Sequence, residues 1–227
     1  RFAVGGADFT PMASYGNTFG NKTVTQAHLV AETIMFECGI QTMADKPAVY
    51  RAHVAYENLF KNIPTSWDDS ILVDGDPGHY VNMARTTGDD WYVSLLANEA
   101  RTAAFNLDFL DDGATYTAYI FRDSDDPMND DTSKAIITET MTVTKGQAMS
   151  IDLKETGGAV VKLVKTADWN ELNAALTEAK SLNSSNYTAA SWSAVEAAIT
   201  AAEQLPETAD QATIDAATKA IKDAIAN

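Results

Sequence analysis

The sequence predicts a multidomain chain in three parts: the end of a βα barrel over residues 1–66, an all-β antiparallel sandwich over 67–165, and a three-helix bundle over 166–227. Three observations carry this. Apolar and polar residues alternate between Gly88 and Asp123 at the two-residue period of strands, and helical spacing brackets a short apolar piece between Thr25 and Lys61. After Lys165 the texture turns to Ala, Ser, Thr, Asn and Glu in amphipathic helical stripes.

In the first part, Ala27, Val30, Ala31 and Ile34 recur at helical spacing within Thr25–Phe36, and Cys38-Gly39 offers a left-handed cap. The apolar piece Ile40–Ala44 reads as a short strand. A second helix is expected over Ala48–Lys61, with Asp45 near its N-cap and Pro47 in its first turn. Helix, strand and helix in succession match the closing unit of a TIM-like barrel.

The sandwich is built from Ile71–Val73, Tyr80–Arg85, Trp91–Leu96, Ala103–Phe109, Tyr116–Arg122, Ile136–Val143, Met149–Leu153 and Ala159–Val164, separated by turn signals. The central three runs read as an antiparallel meander, with Asp111-Asp112-Gly113 supplying a glycine able to take positive φ. In the last part, Asp168 and Glu171 form a capping-box pattern ahead of Trp169, Leu172, Leu176, Ala179 and Leu182. Thr188 caps a stripe of Trp192, Val195, Ile199 and Ala202, and Asp210 caps one of Ile214, Ala217, Ile221 and Ile225.

The totals exclude several classes. A net charge of −16 opposes binding to nucleic acid or an anionic membrane, because the field repels phosphate. One cysteine, Cys38, cannot close an intramolecular disulfide, and no apolar run is long enough to span a bilayer. The opening at Arg1, without Met, is expected to be the interior of a longer polypeptide.

Trp91-Tyr92-Val93, then Leu107-Asp108-Phe109-Leu110, then Tyr116–Asp123 resemble the C-terminal sandwich of glycoside hydrolase family 97, a family of α-glucosidases and α-galactosidases. Gly6–Pro11, Thr25–Val30, Gly39–Asp45 and Ile63–Asp69 resemble, in the same order, the end of that family's catalytic barrel and its exit into the sandwich. Leu182, Asn186-Tyr187-Thr188, Ser191-Trp192 and Ala209–Asp215 are similar to the helical repeat called FIVAR, "found in various architectures".

The resemblance implies that the chain is a C-terminal fragment of an α-glycosidase, supplying barrel closure and a non-catalytic sandwich for packing and oligomerisation. Its partners would be its own upstream barrel, a second copy, and the parent's carbohydrate substrate. The working carboxylates, and a calcium ion held by glutamates, would lie upstream, so no catalytic residue, metal or cofactor is assigned here and activity alone is not expected. The FIVAR resemblance places the parent outside a bacterial cell or on its wall. The alternative is a stand-alone glycan-binding or wall-associated module.

Asp8, Gln41 and Asp45 are the residues of the barrel-like part that could approach a substrate, since barrel chemistry sits at the C-terminal ends of strands. Each has a structural alternative: Asp8 in a turn, Asp45 as a helix cap, Gln41 satisfying backbone groups. Trp67 and Trp91, with Tyr116 and Tyr119, could form a platform for sugar stacking, or they could pack at a core or domain interface. The acidic loop after Asp123 lacks the Gly and Glu that a calcium loop needs at its sixth and twelfth positions, where Met128 and Lys134 stand. His28, His53 and His79 are not at metal-ligand spacing, and no Gly-x-Ser-x-Gly motif occurs.

Overall fold

The computed structural model describes residues 6, 10, 23–44, 46–52, 54–129, 134–207 and 209–226, and the chain divides into two compact units, Arg1–Lys165 and Thr166–Asn227. The first is dominated by an antiparallel sandwich. One sheet has six strands in the order β1 (Asp69–Asp76), β2 (Tyr80–Thr87), β3 (Asp90–Ala97), β8 (Gly158–Lys165), β5 (Thr115–Asp123) and β6 (Ile136–Thr144). The other pairs β4 (Arg101–Asn106) with β7 (Ala148–Leu153).

Residue pattern decides which strand takes which place. In β3, Trp91, Val93 and Leu95 face the gap between the sheets while Tyr92 and Leu96 face the opposite side, so both faces are buried. The Gly158–Val161 run of β8 is likewise apolar on both faces and lies between β3 and β5, with Val93 opposite Val161 and Ile120 opposite Val161 on the other side. By contrast β4 and β7 bury alternate residues, as a sheet with one wet face must. Ala103, Phe105, Met149, Ile151 and Leu153 close the inter-sheet core against Ala84, Leu95, Tyr116, Ala118 and Val143.

The expected meander is therefore corrected. β3 and β5 do not pair with β4, which crosses to the small sheet because only one of its faces is apolar, and β8 fills the place between them. Gly113 does take positive φ, +74°, but the loop it serves joins strands of different sheets.

The outer face of the large sheet is covered by α1 (Gln26–Met35), whose Val30, Ala31, Ile34 and Met35 meet Met83, Tyr92, Leu96, Phe121 and Val160. Helical residues follow over Pro47–Ala52 (α2) and Val54–Lys61 (α3), within the span where a helix is expected over Ala48–Lys61, and His53 between them lies outside the described residues. The strand expected at Ile40–Ala44 is an isolated bridge residue at Gln41, with Ile40 82% exposed. A strand needs a ladder for its amides, and among the described residues this piece has no neighbouring strand to pair with. α1 also stops short of Gly39: Phe36 is extended, and the Met35 carbonyl is taken by Arg85 rather than by a left-handed cap.

In the second unit α4 (Asn170–Ser181), α5 (Ala189–Glu203) and α6 (Gln211–Ala226) each pack on the other two around Leu172, Ala175, Ala179, Val195, Ala202, Ile214 and Ile221. Thr188 Oγ1 accepts the Ser191 N–H at 3.2 Å, and Asp210 Oδ1 accepts the Thr213 N–H at 2.8 Å. The Asp168–Glu171 box does not form. Gln211 Oε1 holds the Asp168 N–H at 2.7 Å, leaving Glu171 to pair with Lys222.

Candidate functional site

Two buried ionisable groups lock the helical segment ahead of the sandwich onto the large sheet. α1 begins at Thr25, whose Oγ1 accepts the His28 N–H at 3.1 Å and whose own N–H donates to Thr156 O at 3.0 Å. Wholly buried at the end of β5, Asp123 accepts from the Gly158 N–H at 3.2 Å and, at 3.4 Å, from the Lys154 N–H. Burial pushes the Asp123 pKa up, while the Thr25 hydroxyl, these two amides and nearby His28 pull against it. His28 adds a contact of its Nδ1 to Gly157 O at 3.0 Å.

At the far end of α1, Arg85 of β2 is fully buried. It donates to Met35 O at 2.9 Å and to Ser70 Oγ at 2.8 Å, and Glu37 lies 3.7 Å away. Burial lowers its pKa and the Glu37 carboxylate opposes the shift. Midway, Ser94 Oγ donates to Ala31 O at 2.7 Å. Polar side chains from two strands, Arg85 of β2 and Ser94 of β3, thus reach the backbone of α1, while Asp123 of β5 meets the side chain of its capping residue Thr25.

The residues singled out in the sequence are not brought together into one site. Asp8 and Asp45 lie outside the described residues, as do His53, Asp130 and Asp131. Gln41 Nε2 donates to Thr33 O at 2.6 Å. Trp67 packs edge-on against Tyr92, with centroids 5.3 Å apart, on the helix side of the large sheet. Trp91 packs on Phe109 at 4.7 Å in the inter-sheet core, on the other side, where Tyr116 is also buried. Only Tyr119 of the four aromatics is exposed, at 41%.

Two clefts flank β6. One of about 470 Å³ lies on the helix side, lined by Asn58, Asn62, Tyr119, Thr138, Thr140 and Lys162. The other, about 480 Å³, lies toward β7 and includes Met141, Asp125, Glu139 and Asp152. Its acids are held: Glu139 by Arg122, Asp152 by the Thr102 hydroxyl at 2.6 Å, Asp125 by Lys154 at 4.0 Å. Among the described residues no group of three His, Cys, Asp or Glu side chains is placed to hold a metal ion. No described helix is long and apolar enough to cross a membrane.

Sequence reasoning missed Arg85 and Asp123. Arg85 carried a signal, a lone cation inside the strand Tyr80–Thr87, and Gly157-Gly158 marked a place where backbone approaches closely.

Residues 66–164 match the family model described as glycosyl-hydrolase 97 C-terminal, oligomerisation. The match coincides with the sandwich, from just ahead of β1 into β8. A retaining α-galactosidase of Bacteroides thetaiotaomicron is 34% identical over 100 residues, 44% of this chain and 15% of that protein. A probable retaining α-galactosidase of Streptomyces bingchenggensis is 31% identical over 108 residues, 47% of this chain and 17% of that protein. Among solved structures, a family 97 enzyme from Pseudoalteromonas sp. strain K8, in complex with acarbose, superposes with a TM-score of 0.58 at 29% identity, covering 63% of this chain and 23% of that one. The chain therefore spans less than a fifth of the length of these two curated relatives.

Within the matched residues, the three quoted pieces Trp91–Val93, Leu107–Leu110 and Tyr116–Asp123 lie in β3, in the turn after β4, and in β5. They supply much of the inter-sheet core, which explains why a resemblance could be read from them.

Proposed function

We propose that this chain is the C-terminal portion of an α-glycosidase, with the family 97 domain bracing a catalytic barrel that precedes it and taking part in self-association. The observation that carries the proposal is the match of residues 66–164 to a domain shared with proteins named as retaining α-galactosidases, of which it spans only a small part. In this reading residues 1–66 are the last unit of the barrel. The burial of α1 on the large sheet, tied there by Arg85, Ser94 and Asp123, supports the idea that barrel and sandwich are one mechanical assembly.

The reaction would be carried by two carboxylates and a calcium site in the preceding residues. The relatives' names favour an α-linked galactoside as substrate and net retention, which calls for a nucleophilic carboxylate and an acid–base carboxylate about 5–5.5 Å apart. Here the sandwich positions the barrel and touches no reacting atom. The bundle is read as a FIVAR-like repeat, and with it the parent is placed outside a bacterial cell or on its wall.

Assays on aryl α-galactosides and α-glucosides test this. The 227-residue chain is expected to release no aglycone. The polypeptide extended through the coding sequence ahead of Arg1 is expected to do so and to lose activity on calcium chelation. Turnover by the 227-residue chain alone, or a stop codon directly ahead of Arg1, would overturn the proposal.

A further inference from the structure

We propose that the free edge of β6 is the surface through which two copies of this chain associate, strand against strand in an antiparallel register centred on Thr140. The proposal rests on the reading of the sandwich as an oligomerisation domain and names the surface responsible.

The large sheet has two edges, and they are built differently. β1 carries Asp69, Asp74 and Asp76, and its register slips between Leu72 and Asp74. Two of its amides are already covered, because Asp69 Oδ1 accepts the Ser70 N–H at 2.7 Å and Asp74 Oδ1 accepts the Gly75 N–H at 2.9 Å. Charge, a bulge and self-capped amides are how natural sheets refuse an added strand.

β6 carries one charge against three on β1, and its register does not slip. Its nine residues, Ile-Ile-Thr-Glu-Thr-Met-Thr-Val-Thr, contain no Pro or Gly, and they hold unbroken register with β5 from Ile136 opposite Asp123 to Thr144 opposite Thr115. Among the described residues β6 pairs with β5 alone, and its outer row of backbone donors and acceptors has no strand beside it. Its single charge, Glu139, is neutralised on its own chain by Arg122. Seven of the nine are β-branched, the composition that favours strand pairing.

The occupant that fits is a second copy. The matched oligomerisation domain includes β6. A chain of net charge −16 repels its copy, so self-association needs a contact with little uncompensated charge. Centring the two-fold on Thr140 overlaps all nine residues, setting Thr138 against Thr142, Ile137 against Val143, and Glu139 against Met141 of the second copy. Centring on Glu139 would instead oppose two carboxylates. The clefts on the two faces of β6 expose Tyr119 on the helix side and Met141, 38% exposed, on the other, and a strand added at this edge covers both.

Sedimentation equilibrium on the 227-residue chain over a range of concentrations tests the surface. The wild type is expected to dimerise. Thr140→Lys and Thr140→Glu, each opposing like charges across the two-fold, are expected to weaken the dimer roughly tenfold or more with unchanged circular dichroism. Mixing the two variants restores association, and Leu72→Lys on the β1 edge changes nothing. Should a Thr140 variant fail to fold, mixing Thr138→Lys with Thr142→Glu probes the same register.

A wild-type dimer indifferent to the Thr140 variants would overturn this surface while leaving self-association standing. A wild type that stays monomeric at every concentration would overturn both. Dimerisation intact in the Thr140 variants, but with the barrel-containing polypeptide destabilised, would assign the edge to the barrel instead.

Discussion

Gly158 of β8 lies so close beneath His28 of α1 that a Cβ in its place would stand 2.6 Å from His28 Cα and 3.0 Å from His28 N. Both are backbone atoms, fixed by the Thr25 cap and the helix that follows, so neither can swing away. Gly158→Ala is therefore expected to destabilise the first unit by about 1–3 kcal/mol through overpacking. Gly75→Ala is the control: its Cβ would meet nothing nearer than 3.6 Å, and the change is expected to stay within about 1 kcal/mol. Urea denaturation of the two variants beside the wild type checks the contrast, and equal losses would contradict it.

Arg85 ends α1 from below, replacing the C-cap that Gly39 was expected to provide. Truncation to Ala would leave the Met35 carbonyl without this donor and Glu37 without its cation, and would empty a fully buried volume. Glu37 is half exposed and stays solvated, so the expected loss, roughly 2–4 kcal/mol, comes from the emptied volume and the unpaired carbonyl. Arg85→Met keeps much of the volume and should lose clearly less. Hydrogen exchange would locate the damage: amides in the last turn of α1 should open before those of β3. Uniform opening of both would mean that Arg85 acts through the sheet core rather than on the helix.

How much of this was legible follows from where the signal is local. β3 and β8 are apolar at both parities and β4 and β7 at one, so the strands themselves could be read directly. Their pairing could not, because the choice of β8 over β4 as the neighbour of β3 depends on which faces are covered, and α1 covers one of them from some 60 residues away. Trp91 kept the parity shared with Val93 and Leu95, which took it into the inter-sheet core. Trp67 had no such neighbours, and its place against Tyr92 is set by the tertiary fold. Arg85 and Asp123 were overlooked because buried charges are rare and their partners here are mostly backbone groups, which leave no pattern in the sequence.

The bundle offers a separate test of local reading. Thr188 Oγ1 caps α5 as its position predicts, and the adjoining Tyr187 ring packs on Trp192 at 5.7 Å. Thr188→Ala is expected to cost about 1 kcal/mol and Thr188→Asn almost nothing, since Asn caps equally well. The check is hydrogen exchange in the first turn of α5, with β3 amides unchanged in both variants. A loss of equal size in the Asn variant would show that the threonine methyl, rather than the cap, was responsible.

Asp123 gives a pH dependence whose sign can be worked out in advance. Burial raises its folded-state pKa above the ordinary carboxylate value, so the folded chain holds this proton more tightly than the unfolded one. Its contribution is then fully present below the unfolded-state pKa and is lost as pH rises through the folded-state pKa. Asp123→Asn removes the titration while keeping an oxygen that can accept the Gly158 N–H. The stability of wild type minus variant, measured by urea denaturation, should therefore shrink from acid to neutral pH, with the other carboxylates cancelling in the difference. If the Thr25 hydroxyl and the two backbone amides outweighed burial, the carboxylate would be the favoured form and the difference would grow with pH instead. That outcome would make Asp123 an anionic anchor for the start of α1 rather than a neutral acid sealed beneath it.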